Sequence, residues 1–256
     1  MVDAQYFGIP DINGWIFWGL TLASIATTFL GSVTGTAGGL ALLAIMALVF
    51  PPVILVPVHT VVQLGAGASR AIIMWRYIMR GLLIPFMLGS ALGAIIGAQI
   101  FVSLPSAILQ GIIGIFILIL AWLPKFARLG SETKRFAVVG FGATFLGMFV
   151  SATGTIVAPF VASASPDRRN HAATLGSLMT IVHIMKLIAF GTLGMAVSAY
   201  IPLMAAMLCG CVLGSWLGHK ALNHMPERLF RIFFQVLLTG LALRLLWVGV
   251  TQSGLF

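Results

Sequence analysis

Residues 32–44 read SVTGTAGGLALLA and lie inside a run from Trp15 to Phe50 that contains no charged side chain. Three glycines and two threonines in the middle of so apolar a segment demand a reason, since glycine costs on the order of 1 kcal/mol relative to alanine inside a helix. The run holds 36 residues, and as one helix it would extend about 54 Å, far beyond a hydrocarbon core of roughly 30 Å. The glycine-rich stretch must break it.

Composition identifies the solvent as lipid. The chain of 256 residues is 60% hydrophobic and 7% charged, against roughly 25% charged residues in soluble domains. Further apolar runs cover 53–75, 82–102, 106–123, 136–163, 172–192, 197–218 and 229–250, so the fold class is an all-α polytopic membrane protein with about eight to ten membrane segments. A formal charge of +9 would suggest nucleic acid in a soluble chain, but here the basic residues fall mainly in short loops and report topology instead. Cys209 and Cys211, in CGC within an apolar run, read as small packing residues. The N-terminus, MVDAQYFGIPDIN, lacks the basic region of a cleavable signal peptide.

The chain is an internal duplication. FLGSVTGTAGGL (29–40) lies over FLGMFVSATGTI (145–156) at an offset of 116, with Gly38 over Gly154. PFMLGSALGAIIG (85–97) lies over PLMAAMLCGCVLG (202–214) at an offset of 117, with Gly93 over Gly210. The expected division is a first repeat over 1–124, a cytoplasmic linker over 125–135 and a second repeat over 136–256. If each long run were one bent span, six basic loop residues would face five across the membrane, which specifies no orientation. If each instead turns back at its glycines, Arg76, Arg80, Lys125, Arg128, Lys134, Arg135, Arg168, Arg169, Lys220, Arg228 and Arg231 share one side. Only Arg244 departs from this. The positive-inside rule therefore predicts two inverted repeats, each opening with a glycine-broken helical hairpin, with both termini periplasmic.

Breaks in inverted repeats commonly meet at a substrate site, where helix N-termini offer backbone N–H groups to an anion. At the first break Gly35, Gly38 and Gly39 allow close approach of backbone, and Thr34 and Thr36 supply hydroxyls; Gly154 with Ser151, Thr153 and Thr155 does the same at the second. Gly89, Gly93 and Gly97 read as helix packing. Two cations lie within apolar runs, Arg70 and Lys186, where a charge costs roughly 2.5–3.5 kcal/mol on insertion scales. Lys186 lies deep in its run and is the leading candidate for a substrate contact; Arg70 is close enough to its loop to snorkel. His183 shares a helix face with Lys186, and His59 lies early in the matching run of the first half. Thr60, Gln63, Ser177 and Thr180 are weaker polar candidates. Asp3, Asp11, Glu132, Asp167 and Glu227 all lie at termini or in loops, so the segments hold cations but no carboxylate, and the permeant species should be an anion.

FLGSVTGTAGGL, VHTVVQL (58–64), LGSLMTIV (175–182), and LPSAILQGIIGIFILIL echoed by MPERLFRIFFQVLL resemble the sulfite exporter TauE/SafE family over nearly the whole chain. The resemblance implies a multi-pass protein of the bacterial inner membrane that exports sulfite, organosulfonates or related small sulfur-containing anions without ATP hydrolysis. Departures in the second break, ATGT, and at His59-Thr60 bear on the substrate. The expected partners are the small anionic substrate and the lipid bilayer, with no nucleic acid, no metal and no cofactor; assembly as a homodimer stays open. A passive anion channel is the alternative, while an intramembrane enzyme would need a nucleophile with a base or a metal set that the scattered histidines do not supply.

The charge distribution makes one prediction directly. Cysteines introduced near Ser131 and Asn223 should be labelled from the cytoplasm, and at Asn13 and Ser253 from the periplasm, by a membrane-impermeant maleimide; opposite sidedness for Ser131 and Asn223 would restore parallel halves.

Overall fold

The computed structural model describes residues 6–34, 37–122, 135–150, 153–165, 167–194 and 197–221, with parts of 239–251. These are helical with no strand among them. The elements are α1 (Gly14–Thr34), α2 (Ala37–Met46), α3 (Pro52–Ile73), α4 (Leu83–Ser103), α5 (Ser106–Trp122), α6 (Arg135–Val150), α7 (Gly154–Ala164), α8 (Arg168–Thr192) and α9 (Ile201–Ala221). Five stretches, Gly14–Val33, Pro52–Ile73, Arg80–Ser103, Arg168–Thr192 and Ser198–Ala221, are long and apolar enough to cross a membrane. The expected linker falls almost wholly outside the described residues; α6 begins at its last position, Arg135.

Local chemistry sets the helix ends. Pro52 opens α3 behind Pro51, a position where a missing N–H costs nothing. Asp167 caps α8 by accepting a 2.8 Å hydrogen bond from the backbone N–H of Arg169, and Gly194, at φ +71°, turns the chain just beyond that helix. The breaks fall where the glycines predict, between α1 and α2 and between α6 and α7. In the first, Gly38 lies against the carbonyl of Thr27 and the backbone of Gly31, so the chain reverses rather than bends. At ten and eleven residues, α2 and α7 rise only about 15 and 17 Å. Each is too short to cross a hydrocarbon core of roughly 30 Å by itself.

Small residues make the bundle. Along α4, Gly89, Gly93 and Gly97 meet the backbone of α6 at Ala137, Phe141 and Phe145, whereas Gly210, Gly214 and Gly218 of α9 meet α1 at Thr21, Ile25 and Phe29. Both pairs run parallel. Ser24 donates to the carbonyl of Met207 at 3.1 Å, and Gly140, its counterpart at an offset of 116, abuts the carbonyl of Phe86. These contacts correct the alignment drawn from the prolines: with α1 laid on α6, Gly89 rather than Gly93 answers to Gly210, an offset of 121 instead of 117. The four-residue difference is about one helical turn. It arises because a glycine every fourth residue lets one helix seat on another at either of two adjacent turns. The opposite face of α4 carries Ile84, Leu88, Leu92 and Ile95, all exposed, as lipid contact requires.

At the centre α3 and α8 run antiparallel. Gly67 packs on Gly176 and Thr180, Arg70 packs on Gly176, and His59, earlier in α3, comes within electrostatic reach of His183 and Lys186, later in α8. α9 lies beside α3 in the parallel sense, with the Ser69 and Ser215 hydroxyls hydrogen-bonded at 2.8 Å.

A Cβ at Gly93 or Gly214 would enter a backbone carbonyl of the neighbouring helix, of Phe141 or Ile25. Gly93→Val and Gly214→Val should each destabilise by about 3 kcal/mol or more and lower the melting temperature in detergent. Gly19→Ala, with nothing within 4 Å of its Cβ, should not.

Candidate functional site

The two hairpins meet at one pocket. Gly31, Gly39 and Leu40 reach it from the first half and Thr153 and Gly154 from the second, while the crossing of α3 and α8 supplies Gln63, Arg70, Gly176 and His183. The cavity is about 60 Å³, and a water needs about 10–15 Å³ on that scale, so it holds an ion of a few heavy atoms and excludes large organic molecules.

Each side chain is placed by a backbone device. His59, fully buried, has Nε2 2.9 Å from the carbonyl of Gly39, which ties the start of α2 to α3. That carbonyl can only accept, so Nε2 carries the proton and Nδ1 is a bare acceptor. Gln63 rests against Gly39, where any Cβ would collide with its amide. Arg70 is admitted by two glycines: a Cβ at Gly31 would lie 3.2 Å from its Nη2, and one at Gly176 would lie 3.2 Å from its Cβ. Thr153 caps α7, its carbonyl receiving the N–H groups of Ile156 and Val157, and with Gly154 it lines the cavity, so the positive end of that helix lies at the wall. Buried Arg70 Nε, His59 Nδ1, His183 Nδ1 and Thr153 Oγ1 have no hydrogen-bond partner among the described residues. Of these, Arg70, Thr153 and His183 line the pocket, and the guanidinium and the Thr153 hydroxyl are donors for a ligand rich in acceptors.

Lys186 lies behind this wall rather than on it. It is fully buried, with its Cδ 3.7 Å from a Cβ at Gly147 and its Nζ 5.9 Å from the centre of the Phe190 ring. Phe190 packs in turn on Phe101, at 5.4 Å between ring centres, and Phe101 on Phe149. This apolar cluster closes the bundle beyond the lysine. The cation facing the cavity is Arg70, for which the sequence leaves a substrate contact and snorkelling evenly balanced.

The other expected residues divide by their hydrogen bonds. Thr60, Ser177 and Thr180 donate to carbonyls of the preceding turn, those of Val56, Ala173 and Gly176 at 2.7, 3.0 and 2.8 Å, and none lines the cavity. Gly38 serves the reversal of the first hairpin. Thr155 has a buried hydroxyl with no partner among the described residues but stands back from the cavity. Gly35, Thr36, Ser151 and the side chain of Thr34 lie outside the described residues. Gly31, Gly67, Gly176 and Met179 line the pocket without having been singled out for it. The pairing of Gly31 with Gly147 in FLGSVT and FLGMFV marks the first of these; Gly67 and Gly176 carry no signal beyond being small.

Comparison with curated proteins and with solved structures gives no match. The profile of the family described as Sulfite exporter TauE/SafE matches residues 20–245, which takes in both hairpins, both buried cations and the whole crossing of α3 and α8. A multi-pass helical chain with a cavity where two broken helices meet, and matched over that length, belongs to the sulfite exporter TauE/SafE family of membrane transporters.

Proposed function

We propose that the chain is a secondary transporter that exports a small sulfur oxyanion, sulfite or an organosulfonate, across the bacterial inner membrane, and that the anion binds between the two hairpin breaks. The observation that carries this is Arg70 on the wall of a cavity whose other polar groups include unpartnered donors and the N-terminus of α7. A guanidinium offers planar, paired N–H groups that match an oxyanion. The small volume favours compact anions such as sulfite over longer sulfonates. Inverted repeats with periplasmic termini account for the antiparallel crossing of α3 and α8, which are counterparts in the duplication.

A passive anion channel is the competing reading. It needs a continuous polar path, and the cluster of Phe101, Phe149 and Phe190 interrupts one beyond Lys186, which favours a carrier. Purified protein in vesicles should move sulfite with saturable kinetics and no unitary currents; discrete single-channel openings would decide for the channel. A panel of sulfite, thiosulfate, sulfate, sulfonates and carboxylates, with and without a pH gradient, ranks the substrates.

Thr153→Val removes one hydroxyl at nearly constant volume, and a hydrogen bond to a charged group is worth about 1.5–3 kcal/mol. Sulfite affinity, measured by protection against thermal unfolding, should fall roughly ten- to a hundredfold with the melting temperature of the ligand-free protein unchanged. Unchanged affinity would remove Thr153 from the site.

A further inference from the structure

The halves of the chain are alike in sequence but not in what their cations meet. Arg70 stands beside Gly31 of α1, and Lys186 stands beside Gly147 of α6, two glycines that correspond at the duplication offset of 116. Each half thus sets a cation against the glycine just before its own hairpin break. Arg70 faces the cavity, near the end of α3 that leads to Arg76 and Arg80. Lys186 is sealed, toward the opposite end of the bundle, under Thr153 and the phenylalanine cluster. Beside it, across Gly147, stands Thr153, whose Oγ1 is buried with no hydrogen-bond partner among the described residues, and His59 and His183 lie within electrostatic reach.

We propose that Lys186 and Thr153 form a second oxyanion subsite, used in turn with the one at Arg70. The anion enters at Arg70 from the face carrying Arg76 and Arg80. As the first hairpin closes over it and the second loosens, Lys186 and the Thr153 hydroxyl become its donors, and it leaves by the opposite face. Thr153 touches both places, so the transfer is a short shift within one site rather than a hop. This rests on the anion-transport reading above.

The test is the sulfite KM measured from each face separately, in right-side-out and inverted membrane vesicles. Arg70→Gln should raise KM about ten- to a hundredfold from the face of Arg76 and Arg80 and less than about threefold from the other. Lys186→Gln should do the reverse. Equal shifts at both faces for either variant, or no shift for Lys186→Gln, would overturn the second subsite. Should Lys186→Gln fail to insert, Gly147→Cys answers independently, with the wild type and its two native cysteines as the blank. An impermeant maleimide should label it only from the face opposite Arg76 and Arg80, more slowly with sulfite present; labelling from the Arg76 face, or from neither, overturns the proposal. If wild-type vesicles move none of the oxyanions, the transport reading itself fails, whereas sulfite transport with face-independent KM shifts defeats only the subsite.

Discussion

Contact between one helix backbone and another, made possible by glycine, is the interaction on which this bundle depends. In lipid the hydrophobic effect gives two apolar helices no reason to associate, because the acyl chains are as apolar as leucine. What remains is dispersion between closely packed surfaces, and each atom pair contributes only about 0.1–0.2 kcal/mol, so many pairs must come within contact at once. Gly89, Gly93 and Gly97 bring α4 onto α6 along three turns, and Gly210, Gly214 and Gly218 do the same for α9 on α1. Those two parallel pairs flank the α3 and α8 crossing, where Gly67 and Gly176 repeat the device.

The same constraint shapes the hairpins. A reversed chain inside the membrane leaves backbone groups without helical partners, and such groups are tolerated only where protein or a polar cavity covers them. Gly38 against Thr27 and Gly31 packs α2 closely on α1. The carbonyl of Gly39, near the start of α2, meets His59. At the other break α7 starts at the cavity wall, which Thr153 and Gly154 line. The groups left over from breaking a helix thus become the polar surface of the pocket.

Charge completes the arrangement. Two cations in the bundle without a carboxylate from any apolar run set a positive field in a place of low dielectric, where electrostatic interactions are strengthened. Arg70 and Lys186 stand 116 residues apart, the offset at which the two hairpins align, yet one faces the cavity and the other the interior. That asymmetry between near-identical halves is what the proposed alternation of subsites would exchange.

The apolar runs, the two breaks, the duplication and the presence of two cations at depth were all legible in the sequence. The reason is that a bilayer fixes the length of a spanning helix and forbids an uncovered backbone, so overlong runs with glycines at matching places admit few solutions. The resemblance carried by FLGSVTGTAGGL and its repeat reached the family for the same reason. Tertiary structure decided the rest. Whether a hairpin crosses or re-enters depends on how far α2 and α7 run before their neighbours end them. The seating of α9 on α1, one turn from the proline alignment, was invisible because glycines four apart are interchangeable contacts. Thr60, Ser177 and Thr180 looked like Thr153 in sequence, but their hydroxyls bond the carbonyl of the preceding turn, whereas that of Thr153, at the start of α7, does not. Which cation meets the cavity follows from the rotation of α3 and α8 about their own axes, and that rotation is set by Gly67, Gly176 and the helices packed around them.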